Sequence, residues 1–373
     1  MKVAYVIGAL PFGGVETLTL DTMTNFSKRA DVRAVMVNIS GCGVKQADYE
    51  QASLEVVSMD NDLSCLKTHK LSTALRLRKF LRAWQPDIIH AMLFPGNYFS
   101  RLAALGLNIP VINHIHNTVS DSNEGPRHRF INQRLSRFTS LYISVSHMVR
   151  DYTEKELNVA HKPSVVIYNA FNPQNLDAPA HDLKAMYGFN GPVIVQIGHM
   201  VKIKNFDKTI DAFRRVLQAR PDARLLLLGE GPERARLEEV VDAYGLRGKV
   251  VLAGYRTDVF SFLKSCHLLV MPSDHEGFGI AHLEAMACGL PAVISHHVPS
   301  KELTADCALL CDTTPESIAE NITRLLTDQT LYQSMSRAAL QVAGSLTMDN
   351  HCNSLMQVYT LLANRRPIDN IQY

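Results

Sequence analysis

The run Pro272-Ser-Asp-His-Glu-Gly-Phe-Gly-Ile-Ala-His-Leu-Glu-Ala-Met-Ala-Cys-Gly-Leu-Pro291 decides how this chain of 373 residues is read. In front of it stands the apolar run 267–271, and behind it Ala292-Val-Ile-Ser295. Both read as short buried strands. Residues 280–288 suit a helix, stopped by Gly289 and Pro291. Strand, loop, helix, strand is the repeating unit of a parallel sheet. Gly277 and Gly279 let the backbone of the loop approach a ligand. The start of the helix presents unpaired N–H groups and a partial positive charge, which suit an anion such as phosphate.

Two carboxylates bracket that position. Glu276 precedes the glycines. Glu284 follows Gly279 by five residues, about 7.5 Å along a helix that rises 1.5 Å per residue. That is close to the reach from a diphosphate to the ribose of the same nucleotide, and a carboxylate accepts from two sugar hydroxyls. The spacing therefore admits a nucleoside diphosphate sugar, with its phosphates on the helix end, its ribose on Glu284 and its transferred sugar on Glu276. It equally admits an ordinary helix with a solvated glutamate.

Glu276-Gly-Phe-Gly279, a second glutamate eight residues after the first, and Ala285-Met-Ala-x-Gly-x-Pro291 together resemble the donor-site signature of the retaining glycosyltransferases of family 4. The resemblance implies a GT-B fold: an α/β protein of two Rossmann-like parallel-sheet domains facing a cleft, with a C-terminal helix crossing back to the first domain. It implies donor binding at Gly277, Phe278, Gly279, Ile280 and Glu284, with Glu276 beside the transferred sugar, and transfer with retention of configuration. In the family, the first loop of the second domain carries an Arg and, five residues on, a Lys, both facing the diphosphate. Here the Lys is Lys204, but the Arg position is His199. A neutral His donates one hydrogen bond where Arg offers a charged fork, and Lys202 stands near enough in sequence to compensate. In the first domain, Gly13-Gly14-Val-Glu16 resembles the family's N-terminal loop, and the family's cleft histidine falls at His116. The catalytic set so implied is His116, Lys204 and Glu276; the donor-binding set adds Gly13, Gly14 and His199.

Composition agrees with two globular domains: 46% of the residues are hydrophobic, and the length suffices. A formal net charge of +2 gives no bulk case for nucleic acid. The charge is uneven, however. Residues 1–180 carry 19 Lys/Arg against 15 Asp/Glu, and the remainder 19 against 21, so the first half is the one suited to an anionic surface. Seven cysteines show no Cys-x-x-Cys spacing, and Cys307 and Cys311 have no histidines arranged as for zinc. Reduced thiols are the expectation. The apolar residues 3–7 are broken by Pro11 and Gly13 too soon for a signal peptide. No apolar run approaches the roughly 20 residues of a membrane span. The expected location is cytoplasmic, with peripheral contact to the inner face of the cytoplasmic membrane as an addition.

Along the chain, strands are expected at residues 3–7, 32–38, 54–58, 87–90, 110–117 and 141–145, with helices at 17–29, 67–84 and 147–156, the last capped by Ser146. His90, at a strand end, reads as a structural histidine. Alternation puts His114 and His116 on one face of their strand; no acidic or thiolate partner suggests metal there, and His114 reads as structural. Asp60-Asn-Asp62 matches a short metal-binding motif but, followed by Leu63-Ser64, reads better as a turn and helix cap. Two stretches are basic and amphipathic, 67–84 and 125–138. Each reads as a solvated face over an apolar underside or as a patch for anionic lipid. The Pro- and Gly-containing residues 171–192 read as a linker. This gives domains 1–170 and 193–348, with 349–373 packing back on the first. The second domain is expected to alternate strands at 193–197, 225–228, 250–252, 267–271, 292–295 and 307–311 with helices.

Transfer from a nucleotide sugar needs the departing diphosphate stabilised and the reactants held in place. A helix end and one or two cations do both without a bound metal, so no metal and no other cofactor is expected. No carboxylate pair stands out as a glycosidase acid and nucleophile. The reading is a retaining hexosyltransferase, taking a UDP-sugar by preference and serving a glycan or lipid-linked acceptor in cell-surface polysaccharide assembly (lipopolysaccharide, capsule or exopolysaccharide). A nucleotide-sugar epimerase of the same fold and a non-catalytic GT-B partner protein are the alternatives; His199 motivates the second.

Overall fold

Val3, Tyr5 and Ile7 are buried on one side of the first strand, and Ala4 and Val6 on the other. A strand covered on both faces is the mark of a parallel sheet between helix layers, and the computed structural model has two such sheets. It describes residues 1–68, 70–117, 126–304 and 306–366, without the side chains of 126–129. The chain forms two units: Met1–Ala170 with the residues from Met348 onward, and Phe171–Thr347.

In the first unit, seven parallel strands, β1 (Lys2–Ile7), β2 (Arg33–Asn38), β3 (Val56–Ser58), β4 (Ile88–Met92), β5 (Val111–Ile115), β6 (Leu141–Ser144) and β7 (Ser164–Val166), lie in the order β3-β2-β1-β4-β5-β6-β7. Tyr5 pairs with His90, which sets two polar rings side by side across the sheet, and Met92 pairs with His114. One face is covered by helix Gly14–Ser27 and by the C-terminal helix Met348–Ala363, whose Met348, Leu355, Val358 and Tyr359 enter the same core as Tyr5 and Met92. The C-terminal helix thus belongs to the first unit. The other face takes Leu77 and Leu81 of helix Leu71–Trp84 and Phe99 of helix Leu93–Ala103.

The second unit holds six parallel strands, β8 (Val193–Ile197), β9 (Arg224–Leu228), β10 (Val250–Gly254), β11 (Leu268–Met271), β12 (Ala292–Ser295) and β13 (Ala308–Cys311), in the order β10-β9-β8-β11-β12-β13. The winding therefore repeats that of the first unit. Its principal helices are Phe206–Ala219, Arg234–Ala243, Ile280–Ala287, Pro315–Thr327 and Gln329–Ala343.

Four stretches differ from the sequence reading, the first being the unexpected short helix Gln46–Gln51. Residues 171–192 are not a bare linker: they hold the short helix Leu183–Tyr187, and Leu183 and Phe189 are buried in the second unit's core. The helix expected over 67–84 is two helices, Ser64–Thr68 and Leu71–Trp84. Helix Leu93–Ala103 was not expected at all, because Pro95 and Gly96 look like breakers. Pro95 lies in the first turn, where a missing N–H costs nothing. Gly96 is there for packing, since a Cβ on it would lie 2.4 Å from the Val6 carbonyl oxygen. All seven cysteines are free thiols.

Candidate active site

In doubly wound sheets, ligands bind beyond the carboxyl ends of the strands where the winding reverses. In the second unit that place lies between β8 and β11, which pair directly, Leu268 with Ile194 and Leu269 with Val195. The loop after β8 carries His199, Lys202 and Lys204. The loop after β11 carries Glu276 and Gly279 and leads into helix Ile280–Ala287. The two loops are tied together. Asn205 Nδ2 donates to the Pro272 carbonyl at 2.7 Å, and the Asp274 N–H to the Ile203 carbonyl at 2.8 Å. Gln196 Nε2 donates to the Lys204 carbonyl at 2.7 Å. Asn205 is left-handed, with φ at 53°, a conformation Asn tolerates better than most residues.

This framework brings Lys204 and Glu276 together. Lys204 Nζ lies 2.5 Å from Glu276 Oε1, with both side chains largely buried. Ser273 Oγ donates to the same carboxylate oxygen at 2.9 Å. Gly279 caps the helix with φ at 99° and offers no side-chain cap bond to the first turn. A Cβ there would lie 2.9 Å from Val298 Cγ1, so the residue must be glycine on grounds of both conformation and space. Phe278 is buried, and its carbonyl accepts from the Ser300 N–H at 3.0 Å. Gly277, Ile280 and Glu284 are half-buried, and His199 and Lys202 are exposed. His282, one turn in, points to the core: its Nδ1 meets Ser300 Oγ at 2.9 Å, and burial holds its pKa down at about 4.

In the first unit the winding reverses between β1 and β4. Gly13 follows β1 and starts helix Gly14–Ser27 in extended conformation. A Cβ on Gly13 would lie 2.1 Å from Glu16 Oε2. Glu16 thus folds back over the helix start. It is buried, which raises its pKa; its own backbone N–H and Lys45 act against that rise. His116 follows β5 and is buried. Burial, and then the neighbouring His351, push its pKa down to about 3. It is a neutral ring near pH 7, able to accept or donate but not to act as a cation. Neither of its nitrogens has a hydrogen-bond partner among the described residues. Asp60 and Asp62 are engaged elsewhere: Thr73 Oγ1 donates to Asp60 at 2.9 Å and Arg76 pairs with it, while the Ser64 N–H donates to Asp62 at 2.9 Å. Among the described residues no three His, Cys, Asp or Glu side chains gather as for a metal ion.

The tying residues Gln196, Asn205 and Ser273 were missed in the sequence. Only Asn205 left a signal there, as an Asn directly before an amphipathic helix.

Models of known families match both units of the chain. The model of "Glycosyltransferase Family 4" matches residues 12–175, and that of "Glycosyl transferases group 1" matches residues 186–342. A GDP-mannose-dependent alpha-(1-6)-phosphatidylinositol dimannoside mannosyltransferase of Mycobacterium tuberculosis is 40% identical over 134 residues, 35% of this chain and 34% of that protein. The lipopolysaccharide core biosynthesis glycosyltransferase LpsD of Rhizobium meliloti is 27% identical over 70% of this chain and 71% of its own length. The chain spans only a third to a half of the length of several curated relatives it matches, 34% and 52% in two cases. Among solved structures, Anabaena HepE in complex with UDP and glucose superposes with a TM-score of 0.82 at 20% identity, over 96% of this chain and 99% of that one. The two matched models follow each other along nearly the whole chain, each on its own parallel sheet, and the chain is a family 4 glycosyltransferase of GT-B fold.

Proposed function

We propose that the protein transfers a hexose from a nucleoside diphosphate sugar to a glycan or lipid-linked glycan, with retention of configuration, in the assembly of a cell-surface polysaccharide. The observation that carries this reading is the Lys204–Glu276 pair at the β8/β11 switch point, beside a helix that starts at Gly279 without a side-chain cap. Lys204 and the helix end supply positive potential for the diphosphate, Glu284 an acceptor for the ribose, and Glu276 an acceptor for the transferred sugar. Gly13 and Gly14 serve the donor from the first unit, and His116 serves the transferred sugar. His199 takes the place of the family's Arg as a weaker donor to the diphosphate. Lys204, in this reading, acts without a metal, and a chelator should leave turnover intact.

A UDP-sugar is the first choice of donor, supported by the UDP bound to the fold neighbour; a GDP-sugar is the competitor, supported by the mannosyltransferase relative. A lipid-linked acceptor agrees with the lipopolysaccharide relative. It also agrees with the first unit's surface. Leu71 and Leu75 are exposed on helix Leu71–Trp84 beside exposed Lys67, Lys79 and Arg82. On the second basic stretch, Phe130 is exposed with Arg134 stacked on it at 4.9 Å, while the side chains of Arg127 and Arg129 lie outside the described residues. Among the described residues no helix is long and apolar enough to cross a membrane. The protein is proposed to work on the cytoplasmic face as a peripheral protein.

The deciding experiment is a thermal-shift screen of UDP-, GDP- and ADP-sugars, since ligand binding to the native state raises apparent stability. Product analysis follows by NMR of the anomeric proton. An epimerised nucleotide sugar formed from donor alone would replace this reading with the epimerase. Donor binding without turnover on any acceptor extract would replace it with the partner protein.

A further inference from the structure

A row of buried polar rings leads to His116. Tyr5 Oη and Tyr359 Oη are 2.8 Å apart, and Tyr359 Oη is 2.5 Å from His90 Nδ1. His90 Nε2 is 2.9 Å from His114 Nδ1, and the His114 ring lies tilted against that of His116, with centroids 4.0 Å apart and planes 35° from parallel. All five side chains are buried. The row joins β1, β4 and β5 to Tyr359 of the C-terminal helix. His114 Nε2 and both nitrogens of His116 have no partner among the described residues. Buried polar groups are nearly always hydrogen-bonded, so three orphan nitrogens on two touching rings call for an explanation.

The direction of the row follows from counting hydrogens. Burial disfavours the charged form of His90 and His114, and a neutral imidazole has one N–H and one lone pair. The bonds must therefore all run one way. If Tyr5 donates first, then Tyr359 donates to His90 Nδ1, His90 Nε2–H donates to His114 Nδ1, and one hydrogen is left over, on His114 Nε2. If His114 donates first, two groups are left over: the Tyr5 hydroxyl hydrogen, which has no acceptor among the described residues, and the His114 Nε2 lone pair. The first direction leaves one orphan group in the row and the second leaves two, so the first is the stable one.

We propose that His114 Nε2–H donates a hydrogen bond to a hydroxyl of the transferred sugar, side by side with His116, and that Tyr359 fixes that proton through His90. His114 is then a sugar-binding residue, where the sequence suggested a structural one, and Tyr359 and His90 are positioning residues. The inference rests on the reading of His116 as sugar-facing.

Two measurements on the full chain test it. Side-chain 15N–1H NMR reports imidazole tautomers: the wild type should show His114 protonated at Nε2, and Tyr359→Phe should shift that resonance. Protonation at Nδ1, or a resonance unmoved by Tyr359→Phe, overturns the inference. Calorimetry then compares UDP-glucose or GDP-mannose, whichever the donor screen selects, with its free nucleoside diphosphate. His114→Phe should weaken the sugar nucleotide about tenfold, as for one lost hydrogen bond, and leave the nucleoside diphosphate unchanged. His114→Gln, whose amide can stand in for Nε2–H, should recover most of the loss. Equal weakening of both ligands, or of neither, overturns the inference. Loss of turnover in His116→Ala with wild-type behaviour of His114→Phe removes His114 alone. Unchanged turnover in His116→Ala removes the reading of His116 itself.

Discussion

Glu276→Gln should make the protein bind free nucleoside diphosphate more tightly while slowing transfer. In the free protein Lys204 Nζ is 2.5 Å from Glu276 Oε1, so an arriving diphosphate competes with a carboxylate for the same ammonium group. A phosphate oxygen at ordinary hydrogen-bond distance from Lys204, about 3 Å, stands at most about 5.5 Å from that carboxylate oxygen. Two like charges at this separation repel by about 3 kcal/mol at an effective dielectric of 20. Glu276 is 13% exposed on its side chain and Lys204 20%, and salt screening reduces the figure further. A gain of about 1 kcal/mol, roughly fivefold in affinity, is the expectation. The Gln keeps an oxygen for the Ser273 hydroxyl, so the loop should hold its shape. Calorimetric titration of UDP and GDP into wild type and variant, at low and moderate salt, measures the effect; the gain should shrink as salt rises. Transfer should fall, because the charged acceptor for the sugar is gone. Unchanged or weaker nucleotide binding in the folded variant would refute the competition and detach the ion pair from the diphosphate.

The same chemical change at Glu284 should have the opposite sign: Glu284→Gln should weaken nucleoside diphosphate binding by about 1.5–3 kcal/mol if the carboxylate accepts from the ribose, read by the same titration. Lys204→Ala should weaken the donor more than His199→Ala does, and His199→Arg should keep activity; equal donor affinity in wild type and His199→Ala would mean that His199 points elsewhere and that Lys202 is the next residue to change. Sedimentation with anionic vesicles should capture the protein at low salt and release it at high salt, at about 1 kcal/mol per basic residue near the surface; no capture at low salt would leave the exposed lysines and arginines as a solvated face. Acid should destabilise the fold: burial holds His116 at about 3 and His351 and His282 at about 4, against about 6.5 unfolded. The unfolded chain therefore takes up more protons below pH 6.5, and stability present above that pH is lost at about 1.4 kcal/mol per group and pH unit as the pH falls towards 4. Glu16, with its pKa raised, works the other way, one group against these three and the likewise lowered His90, His114 and His267. Urea midpoints that stay flat from pH 7 to 5 would contradict the burial of these rings.

The strands at Val193–Ile197 and Ala292–Ser295 could be read to the residue, because each is an apolar, β-branched run closed off by Gly or Pro. The cap at Ser146 was equally legible, and its Oγ accepts the Val149 N–H at 3.0 Å. These are local facts, set by neighbours in the chain. Long-range pairs were not legible. Lys204 and Glu276 are named by the family motif, but nothing in the sequence says that they touch. His90 looked like a strand-end histidine; that its Nδ1 meets Tyr359 across 269 positions is fixed only when the C-terminal helix folds onto β1 and β4. Glu16 read as the end of the N-terminal loop motif, and its return over Gly13 depends on burial that the sequence does not display. Helix Leu93–Ala103 was hidden because Pro and Gly carry two meanings, break and close approach, and only the packing against Val6 chooses between them.

The two sheets provide an argument for the site that does not depend on the motif. No internal repeat is visible in the sequence, yet both units wind in one order: the first strand is flanked by the second and the fourth, and the direction reverses beside it. A parallel strand directs its carboxyl end at the same edge as its neighbours, and at a reversal the helices on either side leave in opposite directions, opening a crevice. The motif residues sit at these edges in both units. Gly13 and Gly14 follow the first strand of the first unit, and His199 and Lys204 follow the first strand of the second. Glu276 to Glu284 follow the fourth strand of the second unit, and His116 follows the fifth strand of the first, one place from its reversal. A solvated glutamate or a structural histidine could stand at any position along the chain. Lys204 and Glu276 to Glu284 stand at the reversal of the second sheet, where a doubly wound sheet takes its ligand, and this placement supports the proposed donor site of that unit.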